Sequence, residues 1–427
     1  MENILLKIKY LFKSRFFQLG SVVLLGSFLV NILNYVFNLV MGRMLSPAEF
    51  GEVASLMGLA MIVGVPSASL TRLMAKYSAD FKEKNKFNLI ANLFRLVEKR
   101  SFQLGLLMII IFLLLIPLLV WFLQIDLWPL VVFSLILPLS LLLAVNQGLL
   151  QGLQKFIYSS STSFLMAFFK LFLAVLFVWL GFSVVGVMLA LVIGCLFSYF
   201  YSLWQIKPVV GVKFELDTNT IEEEINKKEI ILYAKTMFWA SLLLVLLTNT
   251  DVILAKHYLS ADLAGQYAAL SLTGKIIFYG SGAFLTVMFP MISASLSNRD
   301  GKEKDLLKMA FVLNGLLAGG ILVLFLFFPV LSIKLLFGVK YLIVAPYLVW
   351  FSLAMFCSAF SQVFITYFMA VHTKNYLWPL AGAIFLQIIL IILFHTNLLQ
   401  ITLAILASNL VLLILMILVY IKTSKKL

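Results

Sequence analysis

The sequence predicts an all-α polytopic membrane protein with about twelve transmembrane helices, arranged as two six-helix lobes with cytoplasmic termini. Three observations carry that reading. Of 427 residues, 63% are apolar and 12% charged, against about 45–50% and about 25% in ordinary globular domains. Apolar stretches of spanning length recur along the whole chain, and a motif beside the first of them returns half a chain later. A soluble globular protein is excluded, and the close spacing of the stretches leaves no room for a large extramembrane domain.

Hydropathy windows of about 19 residues place spans at 16–42, 53–71, 102–123, 128–150, 161–180, 184–206, 232–255, 264–290, 309–333, 343–370, 376–395 and 398–421. The first follows Lys7, Lys9, Lys13 and Arg15 and runs past signal-peptide length without a small-residue cleavage pattern, so it is expected to stay in the protein. Between the second and third spans, Phe87, Ile90, Ala91, Phe94 and Val97 recur at helical spacing among basic residues from Lys76 to Arg100. That pattern predicts a basic amphipathic helix on the anionic inner leaflet. From Lys207 to Glu229 the chain turns polar, with a Thr220/Glu223 capping-box pattern. The expected domains are therefore a lobe over 1–206, a cytoplasmic linker over 207–230 and a lobe over 231–427.

Net charge is +14, and its placement points to topology rather than to a nucleic-acid partner. With an even span number the termini and the even-numbered connectors share one side, which then collects nearly all lysines and arginines. Only Arg43, Lys256, Lys334 and Lys340 fall on the other. The asymmetry assigns the basic side to the cytoplasm. Cys195 and Cys357 sit in apolar runs and read as plain hydrophobes. His257, His372 and His395 share no metal-ligand spacing, so neither a metal site nor a cofactor is expected.

The internal repeat aligns Leu45-Ser-Pro-Ala-Glu-Phe-Gly51 and on to Leu56 with Leu259-Ser-Ala-Asp-Leu-Ala-Gly265 and on to Leu270. Each copy turns the outer end of a lobe's first span into its second, so the repeats are parallel about an axis along the membrane normal. Two such lobes imply a central cleft that rocking exposes to each face in turn, which is a transporter's geometry.

Lys170 and Lys275 lie deep inside spans. A central lysine costs roughly 2.5–3.5 kcal/mol even on the lenient insertion scale, so each is expected to face a wet cavity or a partner. Asn31, Asn34 and Asn38 share one helical face, and so do Gln147, Gln151 and Gln154. These amides suit sugar hydroxyls and equally suit helix-to-helix bonding. Arg43, Arg72 and Lys256 are the basic candidates near the cleft mouths, and Asp251 is a candidate ion or salt-bridge site.

The opening Gly20-Ser with Ser27-Phe-Leu-Val-Asn31, the Arg43-Met-Leu-Ser-Pro-Ala-Glu-Phe-Gly51 turn, the Val65-Pro66-Ser67 stretch and the Gln147-Gly-Leu-Leu-Gln151-Gly-Leu-Gln-Lys-Phe156 segment resemble the Wzx-type polysaccharide flippases of the MOP exporter superfamily. The resemblance implies a MOP/MATE-like fold in the cell membrane and movement of undecaprenyl-diphosphate-linked oligosaccharide from the inner to the outer leaflet, without enzymatic chemistry. It implies work among membrane lipids alongside a polysaccharide polymerase and glycosyltransferases, and leaves coupling to an H⁺ or Na⁺ gradient open. Lys170 matches a position often basic in that family. The alternatives are a MATE-like H⁺- or Na⁺-coupled drug antiporter, which would need intramembrane acids, and a lipid II flippase.

Overall fold

A computed structural model describes residues 15–210, 227–298, 303–371 and 373–424. The Thr220/Glu223 pattern, His372 and the lysines before Arg15 lie outside these residues. All regular structure among the described residues is helical, the form in which a chain satisfies its backbone polar groups within itself in lipid. The first half holds α1 (Arg15–Met44), α2 (Pro47–Val63), α3 (Val65–Glu83), α4 (Phe87–Leu123), α5 (Leu127–Ser134), α6 (Ile136–Gly152), α7 (Phe156–Trp179) and α8 (Ser183–Val210). The second holds α9 (Lys227–Tyr258), α10 (Ala261–Asn298), α11 (Glu303–Phe327), α12 (Pro329–Leu336), a 3-10 segment (Val339–Tyr347), α13 (Leu348–Ala370), α14 (Leu377–Leu393) and α15 (Leu398–Ser424).

Each expected span overlaps helix, but those at 53–71, 128–150 and 309–333 cross breaks at 64, 135 and 328, and within the described residues the expected count of twelve is not reached. Among the described residues, nine spans are long and apolar enough to cross a membrane, and ten if α2 and α3 count as one broken span. The break sits at Gly64, with Pro66 in the first turn of α3, where proline's missing N–H has no bond to lose. The α3–α4 turn passes through Asn85 at φ 54°, and α4 ends at Gln124 in the left-handed region.

The expected leaflet-bound helix between Lys76 and Arg100 is corrected by this geometry. Its residues belong to the end of α3 and to the first turns of α4, which runs unbroken to Leu123. Ile90 and Phe94 pack with Met74, Phe81, Val145 and Leu149 in a protein core. Helical periodicity identifies an apolar face but does not distinguish a lipid surface from a neighbouring helix.

The chain forms two compact units, one of Met1–Met44 and Val63–Trp239, the other of Leu45–Ile62 and Ala240–Leu427. Helix α2, from the first half of the sequence, thus belongs with the second unit. In the first unit α3 lies tightly on α6, because a Cβ at Gly148 or Gly152 would meet the carbonyl oxygens of Thr71 and Ala75 at 2.5 and 2.6 Å. Small residues four apart give such close approach in membranes. Thr71 Oγ1 donates across the same crossing to the Ala144 carbonyl at 3.1 Å.

In the second unit the repeat copies cross at their equivalent glycines. A Cβ on Gly51 would lie 2.8 Å from Gly265 N, and one on Gly265 would overlap the Pro47 carbonyl. Phe50 seats against Phe337 and Tyr341, with ring centroids 5.6 and 6.0 Å away. Lys340 Nζ donates to the Leu45 carbonyl, and Gln266 Nε2 donates to the Lys340 carbonyl at 2.6 Å.

Candidate functional site

Two adjoining cavities open within the first unit. The larger, about 450 Å³, lies among α1, α3, α6 and α7 and is lined by Asn34, Thr71, Ser140, Gln147, Gln151, Ser163 and Lys170, with apolar residues between them. The smaller, about 300 Å³, shares Val30, Gln151 and Ser163 with it and adds Ser27, Asn31, Phe156, Ser159 and Ser160.

Helix α7 builds one wall. Ser159, Ser163 and Lys170 fall on one helical face, and Lys170 stands about 16 Å along the axis from Ser159 at 1.5 Å per residue. Lys170 Nζ donates to Asn34 Oδ1 at 2.5 Å and lies 4.4 Å from the centroid of Phe37. The ring face gives the ammonium a cation–π contact, and the amide oxygen gives it a neutral acceptor. No carboxylate lines either cavity among the described residues, so the cation keeps its charge uncompensated by any lining acid. Lys170 is thus held by an amide dipole and a ring face rather than by a counter-charge.

Helix α6 supplies the amides. Gln147 Oε1 accepts from Ser159 Oγ at 2.5 Å, while its Nε2 donates to the Ser159 carbonyl and to Ser163 Oγ, both at 3.2 Å. Gln151 Nε2 donates to Ser159 Oγ at 3.4 Å. Gln147 and Gln151 therefore both join α6 to α7 and face the cavity, whereas Gln154, expected on the same face, lies beyond the end of α6 in a left-handed turn at φ 58°.

Of the sequence-predicted site residues, Asn31, Asn34, Gln147, Gln151 and Lys170 come together here. The others do not line these cavities. Asn38 donates to the Asn34 carbonyl of its own helix at 2.9 Å. Arg43 and Arg72 are exposed, on α1 and α3. Lys256 is buried in the second unit, 3.9 Å from Glu52. Lys275 is also in the second unit, with Nζ 3.1 Å from both carboxylate oxygens of Asp251. Tyr267 and Ser271 hydroxyls donate to the same carboxylate at 3.2 and 2.9 Å. Asp251 is 2% exposed and Lys275 4%, so this is a buried ion pair with added hydroxyl donors, the arrangement that buried charges require.

Sequence reasoning misses the hydroxyl lining, namely Thr71, Ser140, Ser159, Ser160 and Ser163. The run Ser159-Ser-Ser-Thr-Ser163 at the head of an apolar span, two turns after the glutamine stripe, is the signal that could find it.

The fold is that of solved MOP-superfamily proteins. An inward-facing multidrug resistance MATE family transporter is 14% identical, with TM-score 0.80 over 93% of this chain and 96% of that one. The lipid II flippase MurJ in an inward closed conformation is 13% identical, with TM-score 0.71 over 93% and 87%. A MOP-superfamily transporter from Pyrococcus furiosus, described as having a binding pocket of reversed polarity, is 14% identical, with TM-score 0.61 over 94% and 93%. At such identities the likeness speaks for the fold alone. Comparison with curated protein sequences gives no match. These structures share one multi-pass helical membrane fold, and this chain has it. The chain belongs to the polysaccharide biosynthesis protein family, which it matches over residues 18–296.

Proposed function

We propose that this protein is a flippase that moves undecaprenyl-diphosphate-linked oligosaccharide from the inner to the outer leaflet for cell-surface polysaccharide biosynthesis. In this reading lobes 1–206 and 231–427 alternate access to a cationic cleft whose anion-binding group is Lys170. The observation that carries it is a lysine inside a cavity that amides and hydroxyls help to wall and that no acid lines among the described residues. A unit charge pair at 4 Å is worth about 1 kcal/mol in water and about 4 kcal/mol at an effective dielectric of 20, so a diphosphate gains most in such a cavity. The amides and hydroxyls match sugar hydroxyls in both donor and acceptor capacity.

The family match and the fold it shares with a lipid II flippase support a lipid-linked cargo. A cation antiporter is disfavoured because its candidate acid, Asp251, already holds Lys275. Lys275 is accordingly assigned to that pair rather than to the cargo. The test is delivery of sugar to the outer leaflet by Lys170 variants, normalised to protein in the membrane. Alanine and glutamate should abolish delivery, and arginine should retain part of it because it keeps the charge. Wild-type delivery by the alanine variant would remove Lys170 from the mechanism.

A further inference from the structure

The two cavities differ in chemistry, and the difference orders the cargo. Helices α1 and α7 run parallel, since Gly26 lies against Ser160 and Asn34 meets Lys170. The smaller cavity occupies the Gly26/Ser160 end of this pair and the larger one the Asn34/Lys170 end. Along α7, Ser163 and Ser160 stand about 10 and 15 Å from Lys170 at 1.5 Å per residue.

The lining of the smaller cavity is wholly uncharged among the described residues, with Ser27, Asn31, Gln151, Ser160 and the ring of Phe156. Gln147, in the larger cavity, spends its amide on Ser159 and Ser163. Asn31 and Ser160, by contrast, make no hydrogen bond to another described residue. They present free donors and acceptors beside an aromatic face. A neutral wall offers a diphosphate no counter-charge, whereas uncommitted amide and hydroxyl groups next to an aromatic ring suit a pyranose, which has polar edges and a C–H face. A volume of about 300 Å³ lies within the range of small-molecule sites.

We infer that the smaller cavity is a saccharide subsite, in which Asn31 and Ser160 bind the sugar proximal to the diphosphate and Phe156 packs against its ring, while Lys170 binds the diphosphate. This rests on the flippase reading above and adds a division of labour to it. Asn31 and Ser160 are then specificity-determining residues, and the cargo enters with its sugar toward the Gly26/Ser160 end.

The test measures binding of two probes to the purified full chain: undecaprenyl diphosphate, and undecaprenyl diphosphate bearing the oligosaccharide isolated from membranes of the source cell. Asn31→Ala/Ser160→Ala should bind the sugar-free probe as the wild type does and bind the sugar-bearing probe about tenfold more weakly, as expected from two lost hydrogen bonds. Lys170→Ala should weaken both probes. Unchanged affinity for the sugar-free probe certifies folding, and Asn31→Leu, which keeps the side chain's approximate size and adds no charge but removes its donors and acceptor, serves as a second variant expected to alter only the sugar-bearing probe. Equal weakening of both probes, or of neither, by the double variant would overturn the subsite. Lys170→Ala without effect on either probe would instead overturn the diphosphate reading, leaving the sugar comparison intact.

Discussion

Breaking the Asp251–Lys275 pair from either side has unequal consequences that the geometry sets in advance. Removing one partner of a buried pair typically costs about 3–5 kcal/mol, because a charge is left without compensation. Asp251 deprived of Lys275 still accepts from Tyr267 and Ser271, so Lys275→Ala should fall at the low end, about 3 kcal/mol. Lys275 deprived of Asp251 loses the acceptor of both its hydrogen bonds, so Asp251→Ala should reach about 5 kcal/mol. Replacing both charges with neutral groups of similar size, Asp251→Asn with Lys275→Met, should be nearly neutral, since such swaps are often neutral or stabilising. For a unit of this size each kcal/mol shifts a melting temperature by about 2–4 °C. The assay is thermal unfolding of purified protein, followed by transport for each variant. The single variants should lose about 6–20 °C, the aspartate variant more, and the double neutral variant should recover both stability and delivery. A double variant as unstable as either single would refute the reasoning. A stable double variant without delivery would return Lys275 to the cargo path.

Further outcomes follow from packing and topology. Gly265→Leu should destabilise by at least the 1–3 kcal/mol typical of overpacking, because its Cβ meets the Pro47 backbone, whereas Gly319→Ala, inside α11 with nothing within 4 Å, should not destabilise and should gain up to about 1 kcal/mol in the same thermal assay. Gly51→Leu should impair delivery through the same crossing, and normal delivery by both leucine variants would make the repeat equivalence functionally empty. Reporters fused after Leu427 and within 207–229 should read cytoplasmic and one near Asp126 external, and an external signal from the linker would overturn the two-lobe arrangement. Lys170→Arg should deliver sugar at a reduced rate in the same outer-leaflet assay, and delivery no better than that of alanine would mean that charge alone is insufficient.

Much of the fold is legible because lipid leaves the backbone few options, so apolar runs translate directly into helices. Their interruptions are not: the expected span 53–71 runs straight through the break at Gly64, which a hydropathy window averages away although Pro66 follows it. What hydropathy does not encode is which helix covers which. Asp251 reads as shallow because Lys256 and His257 follow it, yet α10 brings Tyr267, Ser271 and Lys275 onto it and buries it. Lys275 reads as a cleft cation for the same reason, since its counter-charge lies on another helix. The amphipathic pattern at Phe87–Val97 is real, but its apolar face meets Met74 and Leu149 rather than lipid. At the site, Lys170 and the Gln147/Gln151 stripe stand out because charge and amides are rare in spans. The serines of α7 blend into a span edge, since a hydroxyl can satisfy itself on its own helix and so carries little signal, as Thr162 does on the Tyr158 carbonyl.

The central claim is that the cargo is an anionic lipid-linked sugar. It is tested most directly by reconstituting the wild-type protein and Lys170→Ala in liposomes loaded on one leaflet with the undecaprenyl-diphosphate-linked oligosaccharide, and measuring its appearance on the opposite leaflet. The account predicts transfer by the wild type and transfer at the protein-free rate by the alanine variant. Wild-type vesicles that leave the lipid-linked sugar in place while extruding a cationic dye would contradict it.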